Sequence, residues 1–137
     1  TEAVARAMSL ARTKGARHSV LLPVSAPFHC ALMQPAADAM AEALAGAPLR
    51  APLVPLIANV TAAPVSDPDA IRSLLVEQVC GTVRWRESVL AMAELGVTGF
   101  VELGGKVLGP MIRRITPDLP TITASEMAGV EALVKEL

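Results

Sequence analysis

The feature that most constrains this chain is an alternation. Short apolar, β-prone runs punctuated by proline and glycine exchange with stretches of helical periodicity. Strands are predicted at residues 18–24, 53–57, 100–103 and 121–124. Between them, apolar residues recur at helical spacing: Met33, Ala36, Ala37, Met40 and Leu44; Ile71, Leu74, Leu75, Gln78 and Val79; Trp85, Val89 and Met92; Val107, Leu108, Met111, Ile112 and Ile115. A first helix over 1–16, with Val4, Ala7, Met8 and Ala11 on one face, precedes them. A last helix carries Met127, Val130, Leu133, Val134 and Leu137. Strand-helix alternation predicts the α/β class with a largely parallel sheet. Residues 61–69 read as a turn-rich loop, and Asp67-Pro68 as the cap and first position of a helix.

The first helix lacks a convincing cap and the chain opens on Thr1, so an upstream part is expected to be missing. Aromatic residues are 2% of the chain, too few for base stacking, and a net charge of -1 offers nucleic acid or an anionic membrane no attraction. No apolar run approaches the roughly 20 residues of a membrane span. Cys30 and Cys80 form no disulfide framework and read as free thiols in a reducing, cytoplasmic setting. With His18 and His29 they show no metal-ligand spacing, so no metal is expected.

The chemistry is expected around His29. Pro23 and Pro27 bracket a turn after the run at 19–24, and His29 follows at the mouth of a helix. A histidine carried by a rigid turn suits proton transfer, although an isolated loop histidine is also a common surface residue. Gln78 falls on the inward face of its helix, as a site residue or as a satisfied interior glutamine. Asn59 closes a strand, where ligands bind in open α/β sheets and where turns also begin. Gly104-Gly105 makes a strand-to-helix turn, with Lys106 solvated and without the spacing of a phosphate loop.

The segment Val24-Ser25-Ala26-Pro27-Phe28-His29-Cys30-Ala31-Leu32-Met33-Gln34-Pro35 resembles the histidine segment of malonyl-CoA:acyl carrier protein transacylases. Three further segments resemble that family in order: Val54 to Val60, Leu75 to Trp85, and Phe100-Val101-Glu102-Leu103-Gly104-Gly105-Lys106-Val107-Leu108. The last departs from the family pattern, which has a proline between the glycines. The resemblance implies the C-terminal part of an α/β-hydrolase-like large subdomain at 25–137 and the end of a ferredoxin-like small subdomain at 1–24. It implies transfer of malonyl from coenzyme A to acyl carrier protein through an acyl-serine, with malonyl-CoA as substrate, phosphopantetheine carried by the carrier protein and no cofactor of the enzyme's own. On the resemblance His29 is the general base, the Gln78 backbone carbonyl orients its ring, and Phe28 crowds the space of an α-methyl group, unless it merely packs.

No GxSxG elbow occurs in the 137 residues. The nucleophile and the arginine for the malonyl carboxylate are therefore expected upstream, and the chain alone is expected to be inactive. Two alternatives stay open: a non-catalytic fragment that only binds a partner, and a polyketide-type acyltransferase.

Overall fold

The computed structural model describes residues 2–136. Thr1 and Leu137, the latter assigned above to the last helical stripe, lie outside the described residues. The chain is α/β: α1 (Glu2–Thr13), a 3-10 turn (Ala31–Met33), α2 (Gln34–Ala45), β1 (Leu56–Ala58), β2 (Ala63–Val65), α3 (Pro68–Glu77), α4 (Trp85–Glu94), β3 (Phe100–Leu103), α5 (Leu108–Ile115), β4 (Thr121–Ala124) and α6 (Met127–Glu136).

The expected largely parallel sheet is absent among the described residues. Two separate two-stranded sheets replace it. β3 and β4 pair in parallel, Phe100 opposite Thr121 and Leu103 opposite Ala124. β1 and β2 form an antiparallel hairpin with Ile57 opposite Pro64. The second strand of that hairpin lies inside the segment read as a loop. The strand predicted at 18–24 is also absent: this stretch is irregular, and Val20, Leu21, Leu22 and Val24 are exposed. An apolar run becomes a strand only where a neighbouring strand takes its N–H and C=O groups; here Arg12 Nη2 donates to the Ser19 carbonyl at 3.1 Å and the Val24 N–H turns back to Leu22 at 2.9 Å, but no described strand pairs with the run.

Local chemistry explains the helix ends. Asp67 accepts a hydrogen bond from the Ala70 N–H at 2.8 Å, and Pro68 occupies the first position of α3. α4 stops at Gly96, whose φ of 86° lets the Val97 N–H turn back to the Met92 carbonyl at 3.2 Å.

The core lies between α4, α5 and β3. Val89, Phe100 and Ile112 are buried there, with Trp85, Met92, Val97, Ile115 and Leu119 packed against them. α2 packs on α3, and Ala37, Ala58 and Ile71 are buried in the half of the chain that carries them. The helical stripes read from the sequence are only partly covered. In α5, Ile112 is buried whereas Leu108 and Met111 are exposed, and α1 buries nothing. The accessible surface is 10115 Å². A closed globule of this chain's mass exposes about 6,800 Å². Many large apolar side chains contribute to that surface, Leu22, Leu32 and Leu53 among them.

Candidate functional site

The site is built where the segment after Pro27 meets the end of α3. After Glu77 the chain tightens: the Val79 N–H donates to Val76, and those of Cys80 and Gly81 to Glu77, at 3.1, 3.3 and 3.0 Å. The carbonyls of Gln78 and Gly81 are left without a main-chain donor among the described residues. His29 reaches them. Its Nδ1 lies 3.2 Å from the Gln78 carbonyl oxygen and 3.2 Å from that of Gly81. Carbonyls only accept, so these contacts require the hydrogen on Nδ1, which in a neutral ring leaves the lone pair on Nε2. The ring is exposed, and Nε2 has no partner among the described residues. A neutral imidazole in this tautomer can take a proton through Nε2.

His29 itself has a φ of 58°. A side-chain-bearing residue in the left-handed region costs on the order of 1–3 kcal/mol and tends to mark functional sites. Pro27 and the 3-10 turn on either side set this bend: the Phe28 N–H bonds to Ala26, and the Met33 N–H to Cys30, both at 2.9 Å. The helix proper begins at Gln34, so His29 stands before a turn rather than at the mouth of α2 itself.

The remaining sequence-predicted residues sit as follows. The Gln78 side chain is half-buried and lines a cleft of about 160 Å³ with Leu56, Ala58, Asn59, Ile71 and Leu75. Phe28 is 53% exposed. Asn59 directs both ends of its carboxamide at backbone: Oδ1 accepts from the Arg84 N–H at 3.0 Å, and Nδ2 donates to the Thr82 carbonyl at 3.5 Å. It braces the segment after Gly81. Cys30 and Cys80 are free thiols, and no metal-ligating group of three or more side chains exists among the described residues.

Sequence reasoning missed three participants. Gly81 supplies the second acceptor for His29. Arg84 ties the hairpin to α4: its guanidinium donates to the carbonyls of Val60 and Thr61 at 3.2 and 3.0 Å and grips Glu87 through two bonds of 2.9 and 2.7 Å. That grip, before all else, holds the Glu87 carboxyl below its ordinary range and the Arg84 guanidinium above its own. The third is Glu102, buried at the start of α5, where the N–H groups of Val107, Leu108 and Gly109 converge on it at 2.9, 2.9 and 2.8 Å. A carboxylate at a strand end followed by a glycine pair and a helix was the available signal.

The chain matches no family model. It is 43% identical over 137 residues to the malonyl CoA-acyl carrier protein transacylase of Escherichia coli (strain K12), a match that covers 99% of this chain and 43% of that protein. The crystal structure of an acyl-carrier-protein-S-malonyltransferase from Bartonella henselae superposes with a TM-score of 0.90 at 51% identity, over 98% of this chain and 43% of the other. A malonyl-transacylase in complex with its type II polyketide acyl-carrier protein superposes with a TM-score of 0.87 at 35% identity, over 100% of this chain and 45% of the other. By sequence and by backbone, the chain is similar to the malonyl CoA-acyl carrier protein transacylases and spans rather less than half of a relative's length.

Proposed function

We propose that this chain supplies the proton-transfer half of a malonyl transferase whose nucleophile lies on polypeptide outside it. The observation that carries the reading is the contact of His29 Nδ1 with the Gln78 carbonyl at 3.2 Å. It leaves Nε2 as the base. In the first half-reaction Nε2 takes the proton of a serine hydroxyl. The serine oxygen bonds to the malonyl carbonyl carbon, the carbon–sulfur bond breaks, and coenzyme A leaves with the proton from Nε2. In the second, Nε2 deprotonates the phosphopantetheine thiol of acyl carrier protein. Its sulfur takes the malonyl group, and the proton returns to serine. The chemistry needs no cofactor from the enzyme.

The uncovered apolar faces support a further part of the same enzyme as the first partner. In this reading residues 1–24 end a small subdomain and 25–137 belong to the large one. Malonyl-CoA and acyl carrier protein are the other partners, and the setting is cytoplasmic. No described helix is long and apolar enough to cross a membrane. Asn59 acts by bracing the segment at 82–84 rather than by touching substrate, because both of its polar ends are occupied. Phe28, exposed beside the base, limits the acyl group by its volume.

The test is transfer of radiolabelled malonyl from coenzyme A to holo-acyl carrier protein. The full-length protein containing this chain labels the carrier, and this chain alone does not. Transfer by the chain alone would overturn the outside nucleophile. A chain that binds the remaining polypeptide while the full-length protein stays inactive would favour the purely structural reading. In the active protein, Phe28→Ser raises the methylmalonyl-to-malonyl ratio of kcat/KM several-fold, within the roughly 10- to 200-fold that one methyl group decides in a pocket. An unchanged ratio returns Phe28 to plain packing.

A further inference from the structure

The Nδ1 of His29 has one hydrogen and two acceptors at the same distance, 3.2 Å. A single acceptor leaves an imidazole free to swing about the N–H···O line. A second carbonyl, on a different peptide three residues on, removes that freedom. We propose that Gly81 is a positioning residue of the site: its main-chain carbonyl, together with that of Gln78, fixes the plane and tautomer of the His29 ring. The inference rests on the reading of His29 as the base.

The surroundings are built to hold this carbonyl in place. The Gly81 N–H is tied to the Glu77 carbonyl at 3.0 Å. On the other side, Asn59 holds the Thr82 carbonyl and the Arg84 N–H, and the Arg84 guanidinium is itself bound to the hairpin at Val60 and Thr61. The peptide between Gly81 and Thr82 is thus anchored at both ends. Only glycine fits there without a shift. A Cβ at this position would lie 3.2 Å from the Glu77 carbonyl oxygen and 3.6 Å from Val60 Cγ2, closer to the helix end than such contacts ordinarily run. The absence of a side chain lets the chain fold back tightly enough for the carbonyl to reach the ring.

Replacing Thr82 with its α-hydroxy acid analogue tests the role. The 81–82 amide becomes an ester, whose carbonyl is a poorer acceptor, and no side chain changes. The lost N–H donates to no acceptor among the described residues. In the full-length protein, kcat for malonyl transfer falls about three- to tenfold at unchanged KM for malonyl-CoA, as for the weakening of one hydrogen bond. The ring-nitrogen NMR signals of ¹⁵N-labelled His29 move toward a mixture of tautomers. Gly81→Ala, which displaces the same carbonyl, moves both readouts in the same direction. Unchanged kcat with unchanged ring signals in the ester overturns the proposal. Failure of the underlying reading looks different: His29→Ala then keeps its turnover, while the ester still shifts the ring signals. An inactive His29→Ala beside a silent ester removes Gly81 alone.

Discussion

His29→Ala in the full-length protein lowers malonyl transfer by about 10²- to 10⁴-fold, the usual consequence of deleting a general base. The loss falls on kcat. The ring touches the main chain through Nδ1 and leaves Nε2 for the reacting proton, so substrate affinity has no evident dependence on it. His29→Gln sharpens the point. A glutamine amide can donate to the same carbonyls and restore the fold of the segment, yet it has no lone pair of imidazole basicity to accept a proton. Stopped-flow or radiolabel transfer assays on both variants therefore give losses of similar size. Turnover near wild type in His29→Ala would sink the assignment of the base.

The second large effect is on stability and concerns Glu102. Three backbone N–H groups at the start of α5 point at one carboxylate, so α5 begins on a charge supplied by β3. The Leu108 N–H contributes most to holding the carboxyl below its ordinary range; those of Gly109 and Val107 and the Thr123 hydroxyl add to it, and burial opposes them. The packing is close: a Cβ at Gly105 would sit 2.7 Å from Glu102 Oε1, so a side chain there would push the carboxylate from its present place. Because the folded pKa is depressed, the stabilisation is full above the unfolded carboxyl's pKa, near 4.3, and is lost as pH falls through the lower folded value. Glu102→Gln keeps the shape but turns an amide NH₂ toward three donors. The melting temperature at pH 7 drops by roughly 5–10 °C, and the part of the acid sensitivity that Glu102 carries disappears. Circular-dichroism melts at pH 7 and at pH 3 measure both. Parallel pH profiles for wild type and variant would show that the carboxylate does not hold the helix.

Parts of this arrangement were readable in the sequence because the signal was local. Asp67-Pro68 marked the start of α3, and the cap bond forms as the residue types require. The placement of His29 against Gln78 followed from family resemblance, since 49 residues separate them and no periodicity links the two. Pairing was illegible. The 18–24 run has the composition of a strand but no strand among the described residues pairs with it, whereas Ala63-Pro64-Val65 pairs despite a proline, which removes a donor and reads against a strand. Gly81 was illegible for a different reason: its contribution is a carbonyl, which every residue has, and only the close approach to Glu77 reveals why a glycine stands there.

The carbonyls of Gln78 and Gly81, just beyond α3, give His29 a second occupation. Their only described donor is its ring, so the proposed base also ties down the turn that follows a ten-residue helix. Active-site groups commonly weaken a fold and are kept for their chemistry alone. Here the two demands coincide, and mutation at this position is opposed twice. A descendant that had lost its serine and all turnover would still be selected to keep the histidine. The histidine at this position therefore answers to the turn it ties as well as to the chemistry it is proposed to perform.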